Sequence, residues 1–417
     1  MTISACRRRT TCRLCDGSDL TVVLELTPTP PANAFVPEEK LYEPQVAFPL
    51  DLFLCNDCGH VQLLDIVDPE ILFADYVYVS GTSPVFVQHF KDYAATVTEK
   101  YLTGPKGGLA FDIGSNDATL LKQFKALDMQ VLGVDPACDI AAEANANGIE
   151  TLATFFTSAL AADIRRTRGA AQVITANNVY AHADDLGDIT DGIRMLLAPD
   201  GVFIFEVSYL VDVFEKTLFD TVYHEHLAYH TVKPLVGFFA THGMELIAAE
   251  RISPHGGSLR GVAQLKSGQR AVESSVGERV AHEKTLGLDR RETLLTFGDR
   301  INGVKKQLTA LLNKLKAEGK TIAAFGAPAK ATTLMYHFGI GPKMIDFIVD
   351  DSPLKQGLFS PGMHIPILPS EAMYSKSPDA IVILAWNFAK PIMRNHAHYL
   401  EQGGRFIVPL PNVEIFD

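Results

Sequence analysis

The sequence lacks several features that would assign its class at once. Its 417 residues include one tryptophan and six cysteines, with no apolar run near the ~18 residues that a membrane span needs. Three arginines stand at positions 7–9, but no apolar stretch follows them, so a secretory signal is not expected. We therefore expect a cytoplasmic protein without a membrane partner.

The chain also lacks an excess of basic residues. Its 37 Lys and Arg residues are outnumbered by 49 Asp and Glu residues, which gives a formal net charge of −12. A nucleic-acid surface needs a basic patch, and no long one is present, so no nucleic-acid partner is expected. The length exceeds one ordinary core and indicates two or three domains. Oligomeric state is not readable from the sequence, and a monomer is the working expectation.

Four of the six cysteines form two Cys-x-x-Cys pairs. The first pair is Cys12 and Cys15, and the second is Cys55 and Cys58. Two such pairs complete the tetrahedral thiolate set that Zn²⁺ favours, and a closed four-sulfur site keeps no open position for catalysis. Structural zinc is the preferred interpretation, and reduced thiols or a redox pair are the alternative.

The strongest fold signal lies at residues 108–135. An apolar run ends at Asp112, Gly114 follows, a helical apolar period comes next, and a second apolar run ends at Asp135. This order predicts a strand, a tight turn, a helix and a strand. The glycine lets the backbone approach a ligand, and the acidic residue closing the second strand suits ribose hydroxyls. An adenosine-type ligand is therefore expected.

The polar residues after this glycine favour one such ligand over another. Ser115 and Asp117 stand where the dinucleotide fingerprint has further glycines. A single glycine followed by polar residues suits a nucleoside without phosphates, such as S-adenosylmethionine (SAM), better than NAD. The alternative is a purely structural glycine in a buried turn.

Strand and helix patterns then alternate along the chain. This rhythm predicts a mostly parallel sheet whose last two strands form an antiparallel edge. The expected strands beyond residue 135 are 149–153, 171–176, 201–207, 245–252 and 258–266, and the expected helices are 85–101, 184–197 and 234–243.

A long amphipathic helix and a second α/β unit follow. Apolar residues in steps of four and three predict one helix over 290–319 that braces two domains; they are Phe297, Ile301, Val304, Leu308, Leu311 and Leu315. The second unit is predicted from strands at 321–325, 345–349, 380–385 and 405–408, with a helix at 331–338. Its turn at 326–330 carries Lys330 before a helix start and is a candidate phosphate cradle.

The densest cluster of titratable side chains follows the strand at 201–207. It contains Tyr223, His224, Glu225 and His226. The two histidines, with Glu225 or His230, offer metal ligands, but their spacing differs from the usual His-Glu-x-x-His helix. A neutral histidine acting as general base is preferred, because its ordinary pKa of about 6.5 suits proton abstraction near neutrality. The alternative is that these histidines have only a structural role.

Taken together, these motifs resemble a known family, the sugar C-methyltransferases that act on nucleotide-linked keto-deoxysugars. The resemblance covers essentially the whole chain and rests on motifs in one order, namely the two cysteine pairs, the Tyr-x-Tyr-x-Ser segment at 76–80, FDIGSNDATLL, ANNVYAH, FEVSYL, YHEH, HGGSLR and FGAPAKATTL. Ala331 departs from the glycine that many members have after the lysine.

The resemblance implies an α/β fold of three domains. These are a zinc-binding module at 1–75, a Rossmann-like SAM-dependent methyltransferase domain at 76–315, and a second Rossmann-like domain at 316–417. The implied cofactors are SAM and structural Zn²⁺. The implied partner is a dTDP- or GDP-linked 4-keto-deoxyhexose, methylated at C3 through an enolate.

The resemblance also implies roles for individual residues. His226 is the expected base, Tyr223 and His182 orient or protonate the enolate oxygen, and Glu225 positions the sugar or tunes a histidine. The full set of expected site residues is as follows: catalytic His226, Tyr223, Glu225, His182, His224 and Tyr76; SAM-binding Gly114, Asn116, Asp135, Asn177, Tyr78 and Ser80; diphosphate-binding Lys330 and Arg260; metal-binding Cys12, Cys15, Cys55 and Cys58.

Three rival functions stay open at this point. An N- or O-methyltransferase on the same scaffold would need no carbon acid. An NAD-dependent sugar-nucleotide oxidoreductase is disfavoured by the incomplete glycine motifs. A non-catalytic zinc scaffold would bind ligands without any reaction.

Overall fold

The structure is a computed structural model that describes residues 5–73, 81, 84–102, 107–253 and 256–417. Tyr76, Tyr78 and Ser80 lie outside the described residues. Within the described ranges, no helix combines the length and the apolar character needed to cross a membrane.

The N-terminal module is built from short strands around the cysteine pairs. Its elements are β1 (Cys6–Arg8), β2 (Leu20–Leu24), β3 (Leu52–Cys55), β4 (Val61–Leu63), β5 (Asp65–Val67) and α1 (Pro69–Phe73), with a 3₁₀ turn at Glu38–Lys40. Strands β2, β3 and β4 pair antiparallel. The chain turns sharply after β3, where Gly59 N–H donates to Cys55 O at 2.9 Å and Gly59 adopts a φ of 85°.

The four paired cysteines converge between the two turns of this module. Their sulfur atoms all lie within 4.8 Å of one another. The Sγ atoms of Cys12 and Cys58 are 3.7 Å apart, and those of Cys15 and Cys55 are 3.6 Å apart. Tetrahedral Zn–S bonds of about 2.3 Å require sulfurs about 3.8 Å apart, so the set fits a zinc ion.

The middle of the chain forms one large sheet with helices on both faces. The strands of this sheet are β6 (Leu109–Ile113), β7 (Gln130–Asp135), β8 (Thr151–Ala153), β9 (Ala171–Asn177), β10 (Leu197–Ser208), β12 (Met244–Ile252) and β13 (Ser258–Leu265). The short strand β11 (Ala228–Tyr229) lies between β10 and β12 along the chain but belongs to the sheet of the N-terminal module. The helices of the middle of the chain are α2 (Pro84–Tyr101), α3 (Thr119–Ala126), α4 (Cys138–Ala146), α5 (Ser158–Arg168), α6 (Leu186–Leu196), α7 (Leu210–Glu215), α8 (Val232–Thr241), α9 (Ser274–Leu286) and α10 (Arg291–Ala317).

The strand order of the central sheet is β12-β13-β10-β9-β6-β7-β8. Strands β6 to β10 run parallel, and β13 is antiparallel to both β10 and β12. The predicted parallel sheet with an antiparallel edge is therefore confirmed. Helices cover both faces of the sheet, so side chains on both faces of a strand are buried. Every residue of β6 is buried, which explains its continuous apolar run.

The bounds of several predicted elements differ from the structure, and two helices show why. The helix expected at 184–197 begins at Leu186, because the Asp185 side chain accepts the Asp188 N–H at 2.9 Å and caps the helix. Helix α10 is one continuous helix, as predicted, but it buries Leu312 where the pattern favoured Leu311. It runs through the domain boundary predicted at residue 315.

The C-terminal part forms a second sheet. Its elements are β14 (Ile322–Phe325), β15 (Ile348–Val349), β16 (Ile367–Leu368), β17 (Ala380–Ile383), β18 (Arg405–Val408), β19 (Glu414–Phe416), α11 (Ala329–Phe338), α12 (Ala372–Lys376), α13 (Ala389–Asn395) and α14 (Ala397–Glu401). The strand order is β16-β15-β14-β17-β18-β19, parallel except for β19. The order reverses between β14 and β17, and ligands bind at such points in open α/β sheets.

The N-terminal module and the middle of the chain share one sheet. Strand β11 pairs antiparallel with β4, so it extends the module's sheet. Arg13, inside the first cysteine pair, has a fully buried side chain and donates to Leu63 O at 2.8 Å and to Leu227 O at 2.9 Å. It also contacts the Asp184 carboxylate at 3.2 Å. The metal-binding turn is therefore packed directly against the middle of the chain.

Removing a thiolate should release the metal and loosen this contact. We expect Cys55→Ser to contain much less than one zinc per chain and to unfold at a lower temperature, because three ligands do not close the tetrahedral site. The measurements are metal content by mass spectrometry and thermal unfolding. Cys138→Ser is the control, since Cys138 is exposed and outside the cluster. Full zinc content in Cys55→Ser would contradict the site.

Candidate active site

A cavity of about 360 Å³ opens at the carboxyl ends of the central strands. Residues after β6, β7, β8 and β9 line it, as expected for a ligand site of this sheet topology. The N-terminal module adds Ile66 and Val67, and the segment beyond β10 adds His224 and Leu227. Five predicted site residues line it from the central fold, namely Gly114, Asn116, Asp135, Asn177 and His182.

The turn after β6 requires its glycine. Gly114 has a φ of 69°, and a Cβ atom there would lie 2.3 Å from Cγ2 of Val179. Asn116 and Ala118 also adopt positive φ angles of 50° and 62°. The backbone thus forms a tightly wound turn at the cavity wall that a side chain at position 114 would disrupt.

Asp135 closes β7 and faces the same turn. Its carboxylate accepts the backbone N–H of Asn116 and of Ala137, each at 2.9 Å. Burial raises the pKa of Asp135, and the two backbone hydrogen bonds oppose this rise. Asp112 is buried nearby, where desolvation raises its pKa to about 7 although Thr175 donates a hydrogen bond to it.

The cavity wall is acidic. It includes six aspartates, and none of the described residues that line it is Lys or Arg; the aspartates are Asp112, Asp117, Asp135, Asp184, Asp185 and Asp188. Asp184 is paired with Arg7, Arg9 and Arg13, which are not among the lining residues, and the other five carboxylates would oppose a dinucleotide pyrophosphate. A ligand that carries a positive charge and no phosphate fits this wall.

Two aromatic side chains cluster with His182, which lines the cavity; they are Tyr223 and His226, which are not among its lining residues. The rings of His182 and His226 are 4.9 Å apart, and those of Tyr223 and His226 are 4.1 Å apart. Burial strongly lowers the pKa of His182, and the neighbouring His226 lowers it further. His182 is therefore held neutral, and the predicted trio of Tyr223, His226 and His182 is one cluster.

The orientation of the His226 ring follows from its two hydrogen bonds. Nδ1 lies 2.8 Å from Thr221 O, so Nδ1 carries the proton and donates to that carbonyl. Nε2 then accepts from the Tyr223 hydroxyl at 2.9 Å. In this tautomer Nε2 is the nitrogen that carries the lone pair, which a general base requires.

His224 and Glu225 point away from this cluster because residues 223–226 form a turn, in which His226 N–H donates to Tyr223 O at 2.9 Å. The extended arrangement that would put His224 and His226 on one face is absent from this described turn. His224 Nε2 donates to Phe48 O at 3.2 Å, and burial lowers its pKa to about 4. In the described part of the chain, the four cysteines alone form a metal-sized ligand group.

Glu225 is buried against the N-terminal module. Its Oε1 accepts the Asn33 side-chain amide at 2.9 Å. Desolvation raises the pKa of Glu225 to about 7, and the Asn33 hydrogen bond opposes the rise. The carboxyl group therefore titrates near neutrality.

The two predicted diphosphate ligands have different partners. Lys330 Nζ donates to Asn387 Oδ1 at 2.7 Å and lies 3.7 Å from the centre of the Trp386 ring. Arg260 is paired with the buried Glu206, at 2.6 Å from NH2 to Oε1, and stacks on Tyr93. Neither cation lines the cavity described above.

Comparison with known proteins decides the family. The family model for a C-methyltransferase C-terminal domain matches residues 253–411, and those for a zinc binding domain and a methyltransferase domain match 12–73 and 87–249. The C-methyltransferase NovU of Streptomyces niveus is 35% identical over 405 residues, which are 97% of this chain and 96% of that protein. The chain belongs to the C-methyltransferase family.

Solved structures resemble this family member only distantly. A magnesium protoporphyrin IX methyltransferase from Synechocystis with bound SAM is 12% identical, with a TM-score of 0.33, over 46% of this chain and 87% of that chain. A SAM-dependent methyltransferase from Clostridium acetobutylicum is 13% identical, with a TM-score of 0.35, over 44% and 92%. These likenesses add nothing to the assignment.

The cofactors of this C-methyltransferase agree with its sites. SAM carries a sulfonium cation and no phosphate, which fits the acidic cavity at the methyltransferase sheet. Zinc fits the four clustered thiolates of the zinc binding domain. The predicted cofactors are therefore confirmed.

Several residues of the C-methyltransferase site were not predicted from its sequence. Phe155 and Phe156 line the cavity after β8, and an aromatic pair just past a predicted strand is a signal that would have identified them. Asn33 offers no such signal, because it lies 192 positions from Glu225 and meets it only through folding.

Replacing Glu225 by Gln should change the pH dependence of stability. An unfolded Glu ionises near pH 4.3, whereas folding holds the proton of Glu225 up to about pH 7, so rising pH destabilises the native protein between these values. We expect Glu225→Gln to gain stability over the wild type as pH rises from 4.5 to 7, reaching roughly 1–3 kcal/mol and then levelling off.

Thermal unfolding of both proteins between pH 4.5 and 8.5 measures this difference. Glu318→Gln is the matched control, because Glu318 is exposed at the end of α10 and should give a gap independent of pH. A constant gap for Glu225→Gln as well would show that the carboxyl has no raised pKa.

Proposed function

We propose that this C-methyltransferase adds a methyl group to C3 of a nucleotide-linked 4-keto-deoxyhexose. One observation carries the proposal, namely the contact of Tyr223 and His226 with His182, a residue that lines the acidic cavity. Such a cluster combines a base with donors for a developing negative charge, which carbon methylation of a ketone needs.

The chemistry begins with an acidic C–H bond. A carbon atom attacks an electrophilic methyl group only when it carries an electron pair, and a 4-keto group acidifies the hydrogen on C3. SAM supplies the methyl group from its sulfonium when bound. The base takes the C3 proton, the enolate forms the new C–C bond, and the keto group is restored as the sulfur keeps the electrons of the broken C–S bond.

His226 is the proposed base. Its Nδ1–H is held by Thr221 O, which directs the lone pair of Nε2 toward the cluster. The C3 proton moves to Nε2 and produces an imidazolium whose Nδ1–H stays bonded to that carbonyl. In this proposal, the Tyr223 hydroxyl donates to Nε2 without substrate and to the enolate oxygen when substrate is present.

His182 and Glu225 support these steps. His182 is held neutral beside His226 and can donate a hydrogen bond to the enolate oxygen without adding a charge that would oppose the imidazolium. Glu225 is adjacent to His226 in sequence and is anchored by Asn33, and of its two expected roles the proposal keeps the tuning of a histidine. His224 shapes the cavity wall. Tyr76 stays a catalytic prediction from the family resemblance.

The SAM site is proposed at the turn after β6. Gly114 and Asn116 supply the close backbone, Asp135 the carboxylate for the ribose, and Asn177 a polar group on the opposite wall. Tyr78 and Ser80 complete this set by resemblance only.

The diphosphate of the sugar nucleotide is proposed at the start of α11. Lys330 lies in the first turn of this helix, where backbone N–H groups favour an anion. Burial lowers the pKa of Lys330 to about 8, and an anion would keep it charged. We place the diphosphate at Lys330 without Arg260, because the Arg260 guanidinium is already paired with Glu206.

The first test concerns SAM. We expect titration calorimetry to give micromolar SAM binding and no signal with NAD. Asp135→Asn should weaken SAM binding by about tenfold or more, because an amide nitrogen cannot accept the backbone N–H that a carboxylate oxygen accepts.

The matched control for this test is Asp139→Asn, an exposed aspartate in the first turn of α4, which should bind SAM as the wild type does. NAD binding by the wild type would favour the oxidoreductase alternative. Equal SAM affinity in Asp135→Asn would remove Asp135 from the site.

The second test concerns the carbon acid. In deuterium oxide, with dTDP- and GDP-linked 4-keto-6-deoxyhexoses, we expect loss of the C3–H signal and a product with a new carbon-bound methyl group. His226→Gln should lower kcat by about 10²–10⁴-fold and abolish the exchange, because no base remains. Tyr223→Phe should lower kcat less and keep the exchange.

Mass spectrometry and NMR of the product measure both outcomes. An N- or O-methyl product without C3–H exchange would overturn the carbon-acid mechanism. Exchange that persists in His226→Gln would assign the base to another residue.

A further inference from the structure

Asp220 is a buried carboxylate that the proposed chemistry leaves without a role. Its side chain has 0% exposure, and it lies in the 3₁₀ turn Phe219–Thr221, just before Tyr223 and His226. Trp386 Nε1–H donates to Asp220 Oδ2 at 2.6 Å, and Lys330 Nζ lies 3.9 Å from the same oxygen. Both partners belong to the C-terminal sheet.

These partners lie at the switch point of the C-terminal sheet, where ligands bind in open α/β sheets. Lys330 follows β14 and Trp386 follows β17, the two strands between which the strand order reverses. The two strand ends approach closely, since a Cβ atom at Gly326 would lie 2.6 Å from Cβ of Ala385. We name the group of Lys330, Trp386, Asn387 and Asp220 the second crevice.

The residue after Asp220 holds the proposed base. Thr221 O accepts the His226 Nδ1–H at 2.8 Å. On the other side of Thr221, Val222 O accepts the hydroxyl of Thr333 at 2.7 Å, and Thr333 lies on α11, the helix that starts beside Lys330. The carbonyl that orients His226 is thus flanked by two anchors, and both come from the C-terminal sheet.

The charge state of the second crevice is sensitive to an added anion. Burial raises the pKa of Asp220, and Lys330 and Trp386 oppose that rise. An anion bound at Lys330 would contact Lys330 and Trp386, the two side chains that hold Asp220. The free energy of anion binding and the position of Asp220 are therefore linked. Linkage of this kind acts equally in both directions.

We propose that Asp220 is a positioning residue, through which a nucleoside diphosphate bound in the second crevice fixes the Thr221 carbonyl and so the ring of His226. The proposal rests on the proposed function, because it takes the diphosphate at Lys330 as the ligand. It adds that a nucleotide bound in the second crevice orders the segment that carries His226. That segment is separate from the SAM-binding turn.

The experiment follows binding and segment order separately in the intact protein. Trp386 is the one tryptophan of the chain, so its fluorescence reports nucleotide entry without any reaction. The probes are dTDP and GDP, which carry no sugar to methylate. Hydrogen exchange of the peptide spanning 219–229, measured by mass spectrometry, reports the order of the segment.

In the wild type, a nucleotide that changes the fluorescence emission of Trp386 should lower the rate of amide hydrogen exchange in this peptide by about fivefold or more. In Asp220→Asn, which keeps the shape but loses the charge, the nucleotide should still change the emission, while the exchange should hardly respond. With a methylation substrate, Asp220→Asn should lower kcat by about tenfold and leave the KM for SAM unchanged.

Two further variants distinguish the proposed positioning role from a general loss of folding. Thr333→Val removes the second anchor and should also weaken the exchange response, whereas Thr333→Ser keeps the hydroxyl and should restore it. Asp379→Asn is the matched control, because Asp379 pairs with Lys320 at 2.9 Å on the surface of the same sheet and should respond as the wild type does.

Each outcome bears on one claim. Nucleotide binding without slower exchange in the wild type would overturn the positioning role, as would a wild-type response in Asp220→Asn. A nucleotide without effect on Trp386 emission would overturn the second crevice as its site. Slower exchange in the wild type alone, with no methyl transfer to any keto-sugar, would support the positioning role and refute the proposed function.

Discussion

A buried guanidinium in the first metal-binding turn joins the zinc site to the reaction site. Arg13 stands between Cys12 and Cys15, and its side chain reaches Leu63 O, Leu227 O and Asp184. A buried cation is costly to desolvate, and these acceptors offset that cost only while the turn keeps its shape. Four thiolates around one ion hold that shape. The metal therefore acts on the cavity wall through Arg13 without touching any substrate.

The segment that carries Tyr223 and His226 is also held in place by other parts of the chain. Its ends are fixed by the N-terminal module, through pairing of β11 with β4, and by the C-terminal sheet, through Asp220 and Val222. The SAM-binding turn belongs to the central sheet. In the proposed function, Tyr223 and His226 are therefore carried by a segment outside the central sheet, and both flanking parts of the chain hold that segment.

The two proposed ligand sites differ in the side chains that they offer. The cavity is lined by aspartates and suits a sulfonium, whereas Lys330 at the start of α11 suits a diphosphate. This arrangement follows from residues at the carboxyl ends of two separate sheets.

The sequence by itself determined the features that depend on neighbouring residues. The two cysteine pairs, the glycine turn before α3, the parallel strands and the single helix α10 all come from local spacing, because a knuckle, a tight turn and an apolar period each need only a few adjacent positions. Tertiary structure decided which partners meet. Asn33 with Glu225, Trp386 with Asp220, and Arg13 with Leu227 are separated by 192, 166 and 214 positions. It also decided that His224 and His226 point apart, because the turn at 223–226 follows from anchors on distant elements that no local pattern records.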